Sequence, residues 1–232
     1  MKKILHLVLI LAMITIMLSC HENRELNDMF GEIVGDDVEQ QAFIGDVLCS
    51  DGTIIKPSQL SSDKNLRAVV FYVDASGKHG KAVALNDVAL GAKKKWGKMN
   101  TDINHLKNYY DSSDVIEDFN GYENVYYINY SCQLNYNTSY PAASSATDYV
   151  DGYGGLYWYL PALGELYKLY INKNTVNKTI NLIDNAKPLY SYDTFWSSTE
   201  SSKDKAWYYC FDGKYDKIEK DSEFQVRPIV VF

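Results

Sequence analysis

Cysteine, histidine, proline and basic charge are all scarce in this 232-residue chain, and each shortage excludes a class of protein. The 5 prolines and 14 glycines are too few for a collagen-like or low-complexity sequence. The 4 cysteines include no C-x-x-C pair, which excludes zinc ribbons and thioredoxin-type redox motifs on spacing. Apart from Cys20 they are Cys49, Cys132 and Cys210, enough for one disulfide at most. The 4 histidines, His6, His21, His79 and His105, include no pair at metal-ligand spacing. No G-x-S-x-G, P-loop, G-x-G-x-x-G or H-E-x-x-H occurs, so the sequence points away from an enzyme, and no cofactor is expected. With 23 Lys and Arg against 30 Asp and Glu the net charge is -7, and the electrostatic footprint of a nucleic-acid binder is missing. The densest carboxylate cluster, Asp111, Asp114, Glu117 and Asp118, departs from the calcium-loop spacing and reads as a solvated acidic face.

What is present suits folding: 46% hydrophobic and 23% charged residues, enough for one or two globular domains. Tyrosine is the outlier, with 20 residues against 8 Phe, and amphipathic aromatics at that density suit contact surfaces. A codon bias toward A and T would enrich the same residue without functional meaning.

Lys2 and Lys3, then an apolar run over residues 4–18 ending at Ser19-Cys20, read as an export signal. The run is shorter than the roughly 20 apolar residues of a membrane span. Met17-Leu18-Ser19-Cys20 resembles the bacterial lipobox, which implies cleavage before Cys20 and lipid attachment to it. Cleavage removes two lysines and leaves the rest more acidic, so contact with the membrane is expected through acyl chains such as palmitate and not through anionic lipid. The expected organisation is a signal peptide over 1–19, a flexible acidic tether over 20–41 and one domain over 42–232, with a loop-rich insertion near 97–150.

Within that domain Asp51-Gly52 marks a turn between Val47-Leu48 and Thr53-Ile54-Ile55. Residues 67–73 and 81–85 read as partner strands around the Asp74-Ala75-Ser76-Gly77 turn. Asn86 or Asp87 is expected to cap a short helix ending at Lys93-Lys94-Lys95. Short helices are expected over 101–110 and 142–150, and glycines 152, 154 and 155 mark a boundary. The clearest helix has Pro161 in its first turn and Leu163, Leu166, Tyr167 and Tyr170 at i, i+3, i+4 and i+7. Val176, Ile180 and Ile183 repeat the spacing. From Phe195 the period becomes two: Trp207, Tyr209 and Phe211 fall on one strand face, and Tyr208, Cys210 and Asp212 on the other. Gly213 turns the chain, and Pro228 puts the last strand, 226–232, at an edge or bulge.

Four blocks carry a resemblance: Trp158-Tyr159-Leu160-Pro161-Ala162-Leu163-Gly164-Glu165-Leu166, Phe195-Trp196-Ser197-Ser198-Thr199-Glu200, Ala206-Trp207-Tyr208-Tyr209-Cys210-Phe211-Asp212-Gly213 and Val226-Arg227-Pro228-Ile229. In order and spacing they are similar to the bacterial family typified by the C-terminal domain of collagen-like adhesins. Residues 44–85 resemble the N-terminal part of gut Gram-negative lipoproteins of that type. The resemblance implies an α+β, C-type-lectin-like domain, short helices on a small, mostly antiparallel twisted sheet, related in shape to the formylglycine-generating enzyme. The chemistry of that enzyme is not implied, since its paired cysteines are not matched in sequence. The Glu-Pro-Asn and Trp-Asn-Asp motifs of calcium-dependent sugar binding are also missing. Trp196, Trp207 and Phe211 are expected in the core, and a buried Arg227 is expected to pair with Glu165 or Glu200.

The function expected from this is a non-enzymatic outer-membrane lipoprotein of the cell envelope whose lectin-like surface binds a glycan or a protein on another cell. A periplasmic enzyme or enzyme accessory, and a surface-filament subunit, are the alternatives. The ligand site is expected on the polar side of the C-terminal segment: Ser201, Ser202, Lys203, Asp204 and Lys205, then Tyr208, Asp212, Lys214, Tyr215 and Asp216. Failing these, the Tyr-rich stretch between Tyr122 and Tyr140 is the next place to look.

Overall fold

The structure, a computed structural model, describes residues 41–61, 65–134, 139–149 and 156–232. The expected signal peptide, the lipobox with Cys20, almost all of the tether and glycines 152, 154 and 155 lie outside the described residues. Residues Gln41–Phe232 form one compact unit.

In chain order the elements are β1 (Val47–Cys49), β2 (Ile54–Ile55), β3 (Leu66–Val73), β4 (Gly80–Ala84), β5 (Lys94–Lys95), α1 (Ser112–Val115), α2 (Gly121–Leu134) and α3 (Pro141–Thr147). Then come α4 (Leu163–Ile171), α5 (Lys173–Ile180), β6 (Thr194–Glu200), β7 (Lys205–Cys210), β8 (Tyr215–Glu219), β9 (Glu223–Phe224) and β10 (Ile229–Val231). The strands make a five-stranded sheet ordered β10-β4-β3-β1-β2, a three-stranded sheet β6-β7-β8 and a ribbon β5-β9, each pairing antiparallel. The fold is α+β.

Both first hairpins follow from local chemistry. Asp51 Oδ1 accepts from the amide and hydroxyl of Thr53 to close the β1-β2 turn, and Asp74 Oδ1 does the same for Ser76 before β4. The run Ala68-Val69-Val70-Phe71 in β3 is buried on both faces: Val69 and Phe71 enter the main core, while Ala68 and Val70 join Leu48, Ala82, Ala84 and Trp158 in a second one. Pro228 precedes β10, which lies at the sheet edge as a proline requires.

The clearest helix forms as α4, but Pro161 lies before its first residue, and Glu165 accepts from the Ala162 amide at 2.7 Å to close its N-terminus. The three-stranded sheet and the ribbon are locked by exchanged indoles. Trp196 Nε1 donates to the Lys94 carbonyl and Trp96 Nε1 to the Ser197 carbonyl, each at 2.7 Å. Trp196, Trp207 and Phe211 are buried, as expected.

Five expectations need correction. Residues 101–110 are not helical: Ile103 and Leu106 are buried at helical spacing, but the amides of Thr101 and Ile103 bind the Lys203 carbonyl and Glu200, and His105 has a positive φ of 70°. Asp87 caps no helix through its side chain; a 3-10 turn over Val88–Gly91 follows, and Lys94-Lys95 is a strand rather than a helix end. The region 97–150 is less irregular than expected, since it holds the 14-residue α2. Asp118 is not part of a solvated acidic face, because it is buried and accepts from Asn124 at 2.9 Å and Thr199 at 2.7 Å. Arg227 pairs with neither Glu165 nor Glu200 but with Asp87, because Lys81 and Lys220 already hold those two carboxylates in buried pairs. Cys49, Cys132 and Cys210 are all free thiols.

Candidate functional site

The β7-β8 hairpin is built around its turn. Gly213, with φ of 102°, supplies the left-handed residue there, and a Cβ on it would come within 2.7 Å of the Tyr170 hydroxyl. The Cys210 amide donates to the Lys214 carbonyl at 2.7 Å, and Asp212 Oδ1 accepts from the Lys214 amide at 3.1 Å. The period-two expectation holds: Trp207, Tyr209 and Phe211 are buried, Tyr208 and Cys210 are half-buried, and Asp212 is exposed.

Cross-strand register then sorts the expected site residues. Tyr208 faces Asp216, whereas Tyr209 faces Tyr215, so the two tyrosines expected to anchor a ligand project from opposite faces of the hairpin. The Tyr215 ring lies nearly parallel to that of Tyr209 at 5.8 Å, and its hydroxyl donates to the Ser112 carbonyl at 3.3 Å. The Tyr208 ring leans on Phe224 at 4.7 Å and, edge-on, on Trp196 at 6.4 Å. An open hollow of about 410 Å³ is lined by Tyr208, Cys210, Lys214, Tyr215 and Asp216.

Electrostatics at this end are local. Burial, with Cys210 and Asp216 nearby, pushes the Tyr208 hydroxyl above the usual phenol range, so it is a neutral donor and acceptor. The hydrogen bond from Lys214 holds Asp212 below the usual carboxylate range, and Asp212 in turn raises Lys214; their atoms meet at 2.9 Å. The arrangement offers an aromatic ring, a thiol and one carboxylate beside an ion pair, which suits adaptable polar contact. Among the described residues no group of His, Cys, Asp and Glu is placed to hold a metal.

The other half of the expected site lies elsewhere. Tyr208, the first residue of β7 to line the hollow, lies three positions beyond Lys205, so the 201–205 turn stands about 10 Å or more from the hollow at strand rise. Contrary to expectation, Ser201 is buried, and the turn serves as an anchor. Asp204 Oδ1 accepts from the Asn100 amide at 2.9 Å, its carbonyl accepts from Lys220, and the Lys203 carbonyl accepts from Thr101. Beneath it Lys220 and Glu200 pair with no solvent exposure. Ser202 Oγ accepts from the Lys205 amide, Lys205 lies 3.4 Å from Glu219, and Lys203 points to solvent. The structure therefore gathers Tyr208, Lys214, Tyr215 and Asp216 with Cys210, leaves Asp212 on the adjoining turn, and separates all of them from 201–205. Phe224 and Thr194, whose hydroxyl lies 3.4 Å from Cys210 Sγ, support the hollow from strands that sequence periodicity did not connect to it.

With this geometry the molecule is an α+β protein carrying an open, polar and aromatic face on a buried aromatic scaffold. No family model matches the chain, and no curated protein matches it. Its fold is similar to that of a fimbrial protein from Bacteroides ovatus ATCC 8483, with a TM-score of 0.65 and 17% identity, covering 82% of this chain and 49% of that one. The chain thus spans about half the length of that neighbour, and the likeness is one of fold.

Proposed function

We propose that this chain is a lipid-anchored, non-enzymatic protein of the outer membrane whose folded domain presents an adhesive face to a glycan or protein on another surface. The observation that carries the reading is the hollow at the β7-β8 end, where Tyr208, Cys210 and Asp216 stand open on a hairpin whose reverse face is packed with buried aromatics. A rigid scaffold under adaptable polar residues is the build of a recognition surface. The finer, C-type-lectin-like reading belongs to the same proposal. It is supported by the convergence of the four resemblance blocks: Tyr159 bridges Ile229, the Ser198 amide binds the Pro161 carbonyl, and Phe195 pairs with Tyr209 across β6 and β7.

Two measurements test it together. Cys20→Ser should move the protein from the membrane fraction to the soluble one, with acyl groups found by mass spectrometry on the unsubstituted protein only. Arrays of glycans and extracellular-matrix proteins should capture the wild-type domain and lose it when Tyr208 and Asp216 are replaced. Membrane retention in the Cys20 variant together with an unlipidated wild type would refute the anchor, and array binding untouched by the substitutions would refute the site.

A second reading, a subunit of a surface filament, is favoured by the likeness in fold to a fimbrial protein. Electron microscopy and sedimentation of the purified chain separate the two, because a subunit polymerises and an adhesive domain stays discrete.

A further inference from the structure

The helix α2 (Gly121–Leu134) turns the usual distribution of residues outward. Its inner face buries Gly121, Asn124, Val125, Ile128 and Ser131. Its outer face shows Tyr122, Tyr126, Tyr130 and Leu134, four residues spaced by four and between 43% and 61% exposed. Residues at i and i+4 lie on one ridge, so these side chains form a continuous row about 18 Å long.

The row is held rigid from below. A Cβ on Gly121 would meet Glu165 Oε2 at 2.2 Å and the Ala162 amide at 2.6 Å, so α2 is pressed onto the start of α4. Asn124 reaches Asp118 and Ser198. Above, Tyr122 stands edge-on to Tyr159 at 5.8 Å, and the rings of Tyr126 and Tyr130 are parallel within 7° at 6.4 Å. Such a platform loses little side-chain entropy on binding.

From this geometry we infer that the α2 tyrosine row is a binding platform for a neutral oligosaccharide chain, separate from the β7-β8 hollow. Three properties of the row select that occupant. α2 contains no lysine or arginine, and Glu123, its one acidic residue, accepts from the Tyr127 hydroxyl at 3.3 Å, so the row offers phenol and amide groups without a charge to recognise. The chain as a whole is acidic, at -7, which disfavours sulfated, phosphorylated or uronic polymers. The half-exposed side chains amount to about 400 Å². A stable protein interface takes about 800 Å² per partner. A short glycan laid along the row fits that size, and its apolar ring faces and hydroxyls match aromatic rings flanked by Asn129 and Gln133.

The test is affinity electrophoresis of the full chain through gels containing mannan, soluble starch, galactan or xylan, with heparin and polygalacturonate as anionic comparators. Retardation is expected in at least one neutral polymer and in neither anionic one. Tyr126→Ala with Tyr130→Ala should weaken it at least tenfold, Tyr126→Phe with Tyr130→Phe should keep most of it, and replacement of Lys178, an exposed residue of α5, should leave it unchanged. Tyr208→Ala, run alongside, separates the two sites: retardation that it abolishes and the double alanine variant retains belongs to the hairpin and overturns this inference. Absence of retardation in all four neutral gels, or equal retardation of the double alanine variant with an unchanged melting temperature, overturns the inference. A wild-type dimer in sedimentation that the double variant abolishes also overturns it, by giving the row to a second copy.

Discussion

Arg227 Nη1 meets Asp87 Oδ1 at 2.9 Å with both side chains closed off from solvent, and the two residues stand 140 positions apart in the chain. The rest of the guanidinium donates to the carbonyls of Ala84, Leu85 and Lys187, so each of its nitrogens is used. The second Asp87 oxygen takes Lys187, which also lies 3.5 Å from Asp193. One buried charge network thereby ties the end of β4, the segment before β6 and the segment before β10.

Removing one partner of a buried pair leaves the other charged and desolvated. Asp87→Ala should therefore lower unfolding stability by about 3–5 kcal/mol in urea titrations. Arg227→Met should lower it less, because Lys187 still pairs with Asp87. Equal stability of Asp87→Ala and wild type would show that the pair does not hold the fold.

Trp196→Ala and Trp207→Ala should each lower stability by roughly 3–5 kcal/mol, as truncation of a buried aromatic does. Both indoles also satisfy a carbonyl, Lys94 for Trp196 and Tyr109 for Trp207, and truncation leaves it without that donor. A melting temperature unmoved by either substitution would place these side chains at the surface.

Burial pushes Glu165 and Glu200 up to about 7, against the opposing pull of Lys81 and Lys220. Unfolded, both titrate near about 4.3. The folded state therefore binds more protons between those values. Their contribution to stability is complete below the unfolded value and is lost as pH rises through about 7. The urea midpoint of the wild type, relative to that of a Glu165→Gln, Glu200→Gln variant, should fall from pH 5 to pH 7.5. A difference that is flat or rises over that range would mean the carboxylates ionise as ordinary ones.

The hairpins were legible because their determinants are local: an Asp-Gly turn, strand alternation and Gly213 all act within a few residues. The helix α2 was not, because only Val125 and Ile128 are apolar among the side chains it buries, beside Gly121, Asn124 and Ser131, while Tyr122, Tyr126 and Tyr130 face solvent. Residues 101–110 misled for the opposite reason. Ile103 and Leu106 carry helical spacing, yet the backbone there is hydrogen-bonded to the β6-β7 turn about 100 residues away. The partner of Arg227 could not be read from the chain, since Asp87, Glu165 and Glu200 are all buried and only packing assigns Lys81, Lys187, Lys220 and Arg227 among them. Of the expected ligand site, alternation found Tyr208 and Asp212, but it could not show that 201–205 is bound down or that Tyr215 faces the core side.

Ligand binding at the hairpin should therefore depend on Tyr208 and Asp216 rather than on Tyr208 and Tyr215. Tyr208 and Asp216 are directly opposed across β7 and β8 and share the open face, with the ring backed by Phe224 and Trp196. Aromatics concentrate contact energy, so Tyr208→Ala should weaken binding to whichever array ligand is found by about 1–2 kcal/mol. It should also move the melting temperature little, because the ring is only half-buried. Tyr215→Ala should behave in the reverse way. Its ring lies against Tyr209 at 5.8 Å and Trp207 at 6.3 Å, so truncation opens the buried face and lowers the melting temperature, with affinity reduced only as far as folding is. Replacing Lys203, the exposed residue of the 201–205 turn, should change neither quantity, since that turn lies about 10 Å or more along β7 from the hollow. Titrations of the three variants, each paired with a melt, decide the matter. Affinity lost with Lys203 and kept with Tyr208 would move the site to the far end of β7.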